Sequence, residues 1–506
     1  MTGAPDVSRN DAYHIHKEEQ QKSHNETPPK ITHYTYVLVF CAALNSCNLG
    51  YDIGVSTNVG PMIEEDFGLS SSERELFIGS LNLWSIFGSS MAHWICDTYG
   101  RRTSFLVAAL FFIFGVIVMG VSHSYLVLMM GRLLVGLGVG FGLAIDPIYI
   151  AEVTPPQFRG ELVTWSEIGI NVGIVLGFAT GFFFYGCEQS LKWRLMLWMG
   201  AVLPMFMVVL VLTVMPESPR WLIKKGLEQE AQGILKKLYP PGHDIAAVIN
   251  EMKGAIELET RAKQDNGWDV ILYPTKAVRR MLQVGVGIAI AQQLVGVDAI
   301  QYYLIDLLEQ SGIDSDLGRL AVLMVLGFLK LGFIVVGGKL FDTQGRRPLF
   351  LISLAGMAFS LTIIAYSNEG MAIAGLGLYL SFFSIGMGPG AWLIPSEVFA
   401  TSIRAKAMSV ATICNRVTAT VLSSTFLTAS EYLGWTEFFL MLAAICLLLM
   451  VFVYFFLPET KGRSLEDTSK YFAQITNDTS LVQAAIKPSQ GFQWGHESSQ
   501  LGHEIS

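Results

Sequence analysis

The sequence predicts an all-α membrane protein of about twelve spanning helices in two six-helix halves. Three observations carry this. First, the chain has 506 residues of which 52% are hydrophobic and only 15% charged, with mean hydropathy +0.45. That composition belongs to a chain that lives in lipid rather than to several soluble domains. Second, the polar run Asp97-Thr98-Tyr99-Gly100-Arg101-Arg102 recurs as Asp342-Thr343-Gln344-Gly345-Arg346-Arg347, 245 residues later, each copy wedged between apolar segments. The same offset carries Glu152 onto Glu397 and Arg159 onto Arg404, so the chain reads as two copies of one unit. Third, a polar stretch at 216–280 separates the copies. Parallel repeats of a membrane unit are a transporter architecture, with the substrate held between the halves.

In chain order, residues 1–33 are polar, carry no signal-peptide pattern, and are expected to form a disordered cytoplasmic tail. The first half, 34–215, holds apolar runs at 35–57, 76–96, 103–121, 125–148, 162–184 and 195–215. Each is long enough for a helix to cross a hydrocarbon core of about 30 Å. The linker, 216–280, has helical composition at Leu227–Tyr239 and Ile245–Lys263, interrupted by Pro240-Pro241-Gly242. The second half, 281–457, repeats the pattern at 281–304, 318–340, 349–367, 371–394, 408–429 and 435–457. Residues 458–506 read as a polar cytoplasmic tail.

Lys and Arg set the orientation. They crowd the linker and the two Arg-Arg turns, whereas the opposite loops carry little beyond Lys192, Arg194, Arg319 and Arg74. Both tails, the linker and the Arg turns are therefore expected on the cytoplasmic side. The formal net charge of -8 and the lack of a basic block with interleaved aromatics argue against nucleic acid. The six cysteines fall mostly in or beside apolar runs and imply no disulfide framework. No histidine has metal-ligand spacing, so neither a metal nor another cofactor is expected. The sequons at Asn25 and Asn477 sit on the cytoplasmic side, where they go unused. Gly136-Leu137-Gly138-Val139-Gly140 resembles a dinucleotide loop but follows no strand, and close helix packing explains it better.

Charges within apolar runs cost about 2.5–3.5 kcal/mol at the membrane centre on insertion scales, so they mark function by default. Asp52 and Arg132 fall at similar depth in the first and fourth runs. Asp52 is expected to take up and release a proton, with Arg132 governing when, because a nearby cation favours the carboxylate and burial apart from it favours the acid. A second constellation is Asp97, Arg101, Arg102, Glu152 and Arg159 with its repeat Asp342, Arg346, Arg347, Glu397 and Arg404. Arg forms bidentate bonds with carboxylates, and a set occurring twice suggests a cytoplasmic latch, made in one conformation and broken in another. Asp146, Lys330 and Arg416 are intramembrane charges without an assigned role.

A substrate site is suggested by Gln292, Gln293 and Asp298 around Gly296, which can interrupt its helix and let backbone groups line a cavity. Amides and a carboxylate mix donors and acceptors as a polyhydroxylated solute requires. Gly386-Met387-Gly388-Pro389-Gly390-Ala391-Trp392 similarly breaks a helix and presents an indole to stack on a sugar's C–H face.

These residues also carry a resemblance. Gly50-Tyr51-Asp52, the two Arg turns, Gly131-Arg132, Pro216-Glu217-Ser218-Pro219-Arg220-Trp221-Leu222, Gln292-Gln293 with Gly296, Gly388-Pro389 with Trp392, and Pro458-Glu459-Thr460-Lys461-Gly462 resemble motifs of the sugar porter family. That family belongs to the major facilitator superfamily, and the resemblance spans about residues 35–470. Within it the chain looks most like plant polyol and monosaccharide:proton symporters, through Glu167, Asn171, Asp298, Lys330 and Asn415-Arg416. The resemblance implies a major facilitator fold, proton coupling at the aspartate matching Asp52, and substrate roles for Glu167, Gln292, Gln293, Asp298, Trp392, Asn415 and Phe383. His93, Gln301 and Asp146 depart from the family pattern.

The expected partners are thus a polyol or sugar, protons and a lipid bilayer, in a plasma membrane or alternatively a vacuolar or plastid one. The expected function is import by alternating access. A passive hexose facilitator and a non-transporting sugar sensor are the rivals. No nucleophile or phosphate site suggests an enzyme.

Overall fold

Helices account for nearly every residue in the computed structural model, which describes residues 31–155, 158–265, 268–366, 369–400, 403–462 and 465–478. The expected N-terminal tail and the end of the C-terminal one fall largely outside them. Ten of the described helical segments are long and apolar enough to cross a membrane. The other two predicted crossings are the helices Ser71–Tyr99 and Arg404–Ser423. They are more polar, carrying Arg74, Glu75, Asn415 and Arg416, and they afford this by packing inside the bundle.

The first crossing, His33–Phe67, runs well past the predicted 35–57. It starts at Thr32, whose side chain accepts from Thr35 N, and stops only at Gly68, whose φ of 61° closes the helix. The second to fifth crossings are Ser71–Tyr99, Arg101–Gly120, Tyr125–Val153 and Arg159–Phe183. Glycines set their spacing. A Cβ at Gly50 would lie 1.8 Å from Ile170 O, and one at Gly140 would lie 2.2 Å from Ser85 O. The first and fifth crossings, and the second and fourth, therefore touch backbone to backbone. Packing, not nucleotide binding, is what the Gly136–Gly140 run does.

Several crossings are broken. The sixth comprises Gln189–Met199 and Val202–Thr213, a break the sequence reading did not anticipate. The seventh is split at Gly296, with φ 88°, into Lys276–Leu294 and Val297–Tyr302. The eighth and ninth, Asp316–Gln344 and Arg346–Tyr366, are continuous. The tenth is interrupted at Gly386 between Glu369–Ile385 and Met387–Val398. The eleventh runs as Arg404–Ser423 and Phe426–Leu433, and the twelfth is Trp435–Phe456.

The halves meet where the first crossing touches Val297–Tyr302, the second touches the eleventh, and the fifth touches the eighth. Linker helices Glu228–Leu238 and Ile245–Asp265 bury Ala231, Leu235, Leu238, Val248 and Ile249 in one apolar cluster with Leu38, Val39 and Met215 of the first half. One expectation needs correcting. The segment after 458 is not a simple polar tail, because Leu465–Thr476 is a helix that buries Phe472 and Ala473 and packs on the seventh and tenth crossings. Its apolar residues lie on one face, which a polar average hides.

Candidate transport site

The duplicated turns form matching braces at one end of the bundle. Gly100 and Gly345 have φ of 95° and 91°, a backbone region open mainly to glycine. Each starts a helix whose free N–H groups meet a carboxylate. Glu217 accepts from Arg101 N at 2.7 Å and Arg102 N at 3.2 Å, and Glu459 accepts from Arg346 N and Arg347 N, both at 3.0 Å. A carboxylate at a helix N-terminus is stabilised by the helix dipole. A Cβ at Gly100 would come within 2.2 Å of Glu217 Oε2, and one at Gly345 within 2.9 Å of Glu459 Oε2, so glycine makes room as well. Burial pushes the Glu217 carboxyl above its ordinary range despite its N–H partners. Burial acts the same way on Glu459, but the N–H groups of Arg346, Lys461 and Arg347 outweigh it and hold that carboxyl low.

The two arginines of each turn divide the work. Arg101 makes a fork to Glu152 at 2.8 and 2.7 Å and donates to Cys96 O. Arg346 reaches Glu397 at 2.8 Å and donates to Phe341 O. Arg102 donates instead to Val211 O and Leu212 O, both at 2.8 Å, and Arg347 to Tyr454 O at 2.5 Å. These carbonyls end the sixth and twelfth crossings, where cations are favoured. Asp97 is looser, 3.8 Å from Arg101 and 3.5 Å from Lys224. Arg404 donates to Phe399 O at 3.3 Å. The side chains of Arg159 and Asp342 lie outside the described residues. Each of these bonds joins residues of one half to one another or to the segment that follows that half.

Further along the bundle Asp52 and Arg132 are in contact. Both Asp52 oxygens accept from Arg132 Nη1, at 2.8 and 2.9 Å. Arg132 is fully buried and Asp52 is 2% exposed. Arg132 Nε donates to Phe77 O at 3.0 Å, and its guanidinium carbon lies 4.6 Å from the Phe77 ring centroid. The pair therefore ties the first and fourth crossings to the second.

Between the halves is a cavity partly open to solvent. Its lining includes Glu167, Asn171, Gln292, Gln293, Asp298, Gln301, Lys330, Phe383, Trp392 and Arg416, with Leu49, Ile53 and Leu143 among the apolar residues. Of the candidate binding residues, Glu167, Gln292, Gln293, Asp298, Phe383 and Trp392 come together here, drawn from the fifth, seventh and tenth crossings. Asn415 does not line the cavity but stands behind its wall. It donates to Gln292 Oε1 at 2.9 Å and to Ala289 O at 2.7 Å, while its own oxygen accepts from Arg416 at 2.6 Å. Lys330 donates to Gln301 Oε1 at 2.9 Å, and Arg416 lies 4.0 Å from Asp298. Asn171 Oδ1 is a buried acceptor with no partner, which suits an incoming hydroxyl.

Polar bonds join the halves beside the cavity, where Arg416 Nη1 donates to Asn82 Oδ1 at 3.1 Å, and at the end opposite the Arg turns. Arg74 forks to Asp306 at 2.8 and 2.6 Å and also reaches Glu64 at 2.9 Å. Glu75 accepts from Thr428 N and Oγ1, at 2.9 and 2.6 Å. Thr57 Oγ1 donates to Gln301 O at 2.9 Å. Sequence reasoning missed this seal, and it missed Glu217 and Glu459 as caps. The caps had a signal, since each follows a proline and precedes Ser or Thr after its half's last crossing. Arg74 had one too, since the 245-residue offset carries it onto Arg319 and its partner Glu64 onto Glu309, a pair 3.2 Å apart, whereas Asp306 has no counterpart at that offset.

Comparison with known proteins agrees with this architecture. The model of the family "Sugar (and other) transporter" matches residues 38–472. The chain is 35% identical to "Probable polyol transporter 4" of Arabidopsis thaliana, over 90% of this chain and 88% of that protein. It is 36% identical to "Polyol transporter 5" of the same plant, over 88% and 87%. Among solved structures, the inward-open xylose transporter XylE from E. coli superposes with a TM-score of 0.74 at 24% identity, covering 86% of this chain and 99% of that one. The proton:xylose symporter XylE bound to 6-bromo-6-deoxy-D-glucose superposes equally well, at the same identity, over 87% and 99%. These relatives are transporters rather than enzymes, and the chain belongs to the sugar transporter family.

Proposed function

We propose that the protein is a proton-coupled symporter that imports polyols or monosaccharides by alternating access, with the Arg-turn end in the cytoplasm and the plasma membrane as its site. The observation that carries this is the juxtaposition of the buried Asp52–Arg132 pair with a cavity of mixed donors and acceptors. Polyols are the favoured substrate class because two of the similar plant proteins are named polyol transporters. A linear polyol or inositol is ringed by hydroxyls that both donate and accept, which Gln293, Asp298, Glu167 and Asn171 can satisfy together. The Trp392 indole supplies an apolar face for C–H groups.

Coupling follows from the first crossing. It carries Asp52, and through Thr57 it holds the chain of the broken seventh crossing at Gln301 O. Protonating Asp52 removes the charge that Arg132 grips, which frees the first crossing to shift against the fourth and so alters the seal at the far end. The seal closed at that far end supports an inward-facing reading of this structure. The two braces keep each half rigid while it rocks, and the latch role we assign them is to meet across the cleft when the inner side closes. A proton gradient supplies about 1.4 kcal/mol per pH unit and a potential about 2.3 kcal/mol per 100 mV.

In proteoliposomes, Asp52→Asn should abolish uphill accumulation of labelled sorbitol or inositol driven by an inward proton gradient while leaving counterflow exchange. Undiminished accumulation would sink the coupling role, and an absence of proton current with substrate in the wild type would establish the passive rival. Gln293→Ala should raise the apparent KM without loss of surface expression, and an unchanged KM would remove Gln293 from the site.

A further inference from the structure

Asp146 is a buried charge that nothing above uses. It lies in the fourth crossing and is 2% exposed. Its Oδ1 accepts from Asn45 Nδ2 at 2.7 Å and its Oδ2 from Ser46 Oγ at 2.5 Å. Both donors are neutral and both belong to the first crossing. Among the described residues no basic side chain pairs with it. The other intramembrane and Arg-turn cations named above are engaged elsewhere: Arg132 by Asp52, Arg101 by Glu152, and Lys330 by Gln301. Other titratable groups on the packed elements include Cys47 and Asp52 on the first crossing, His93 and Cys96 on the second, Tyr149 and Glu152 on its own helix and Glu167 on the fifth. His93 Nδ1 is bonded to Ser89 O. A carboxylate in lipid needs its charge neutralised, and two neutral donors do not do that.

A second observation points at a mobile ligand. Asn48 is 2% exposed, and its Oδ1 has no partner. Its Nδ2 donates to Asn45 Oδ1 at 3.4 Å. Asn45, Asn48 and Asp52 stand at i, i+3 and i+7 of the first crossing, so they share one face. A polar stripe thus descends from the Asp52–Arg132 pair to Asp146, with an open acceptor midway. Asp146 itself sits one turn beyond Leu143, which lines the cavity, toward the Arg turns.

We propose that Asp146 is a second proton-binding site, receiving the proton that Asp52 gives up and releasing it at the Arg-turn side. This rests on the symport reading of Asp52. The proton leaves the Asp52 carboxyl, which re-pairs with Arg132. It passes through water accepted at Asn48 Oδ1 and ends on an Asp146 oxygen, whose new O–H donates to Ser46 Oγ while Asn45 continues to donate to the other oxygen. A sodium ion would meet the same oxygen chemistry, so the test carries an arm for it.

The experiment uses the full chain in proteoliposomes, with labelled sorbitol uptake measured while internal and external pH are varied separately, in sodium and in choline. Wild-type uptake should slow as the interior is acidified, by up to about tenfold per pH unit for a single group. Asp146→Asn should lose that internal dependence and keep the external one, whereas Asp52→Asn should lose the external one. An Asp146→Asn variant with the wild-type internal slope would overturn the proposal, as would sodium dependence that disappears in Asp146→Asn. An unaltered external dependence in Asp52→Asn would instead overturn only the reading of Asp52. Should Asp146→Asn fail to fold, Asn48→Leu carries the test: a reduced internal-pH response supports the stripe, and a response equal to wild type overturns it.

Discussion

The two ends of this bundle are built from the same kinds of residue and used in opposite ways. At the Arg-turn end, arginines and glutamates bond within a half: Arg101 to Glu152, Arg346 to Glu397, and the capping acids Glu217 and Glu459 to the helix that follows each turn. At the far end, Arg74 crosses to Asp306 and Glu75 to Thr428, so the same chemistry joins the halves. The difference teaches how a two-bundle carrier separates rigidity from motion. Bonds inside a half are kept whichever way the cleft faces, so they can be buried and strong. In the alternating-access cycle proposed above, bonds between halves break in every turn, so their strength enters the barrier to opening.

The largest effect should come from breaking a brace. Arg101→Ala leaves Glu152 buried without its partner, a change that costs about 3–5 kcal/mol, and should sharply lower the Tm of the detergent-purified protein. Arg346→Ala should cost less, because Glu397 is 22% exposed where Glu152 is 8%. A greater loss at Arg346 would show that burial does not rank the two. Next comes the seal. Arg74→Gln removes charge-assisted bonds of about 1.5–3 kcal/mol, which shifts the population toward the state open at the far end by roughly ten- to hundredfold. The readout is labelling of a cysteine introduced as Val297→Cys, in a chain with the exposed Cys187 replaced by Ser, by an impermeant thiol reagent added at that end. Unchanged labelling would mean the bridge is not a seal. Thr428→Val removes one bond to Glu75 and keeps the backbone one, so it should shift the same labelling by less, about fivefold for 1 kcal/mol.

The smallest effect separates the repeats by pH. Glu459 is held below its ordinary value near 4.5, so the stability it contributes is present above that pH and lost as pH falls through the lowered value. Glu217 is raised, so its contribution is present below about 4.5 and lost as pH climbs through the raised value. Melting curves across that range should therefore lose acid sensitivity in Glu459→Gln, and shift in the opposite sense in Glu217→Gln. Shifts of the same sign in both variants would contradict the different burial of the two caps.

Much of this was legible in advance because duplication turns a weak local motif into a strong one. The Arg turns were visible from their 245-residue offset, and the break at Gly296 from a glycine set among amides. The Asp52–Arg132 pair was visible from two opposite charges at one depth. The resemblance implied a substrate role for Asn415 but could not show where its amide goes, which is onto Gln292 and Ala289 behind the cavity wall. The helix Leu465–Thr476 was overlooked because its apolar residues are diluted by polar ones, and only a neighbouring surface reveals which face is buried.

What the amino-acid order determined alone was everything that depends on one helix at a time: which runs can cross lipid, where glycine interrupts them, and which charges are too costly in a membrane to be idle. What tertiary structure decided was every pairing between distant helices, including the Arg74–Asp306 bridge, the caps at Glu217 and Glu459, and the solitary Asp146 among neutral donors. The physical reason is that hydrophobicity and backbone conformation are properties of a segment, whereas the worth of a buried charge is set by whichever group the packing brings within about 3 Å of it.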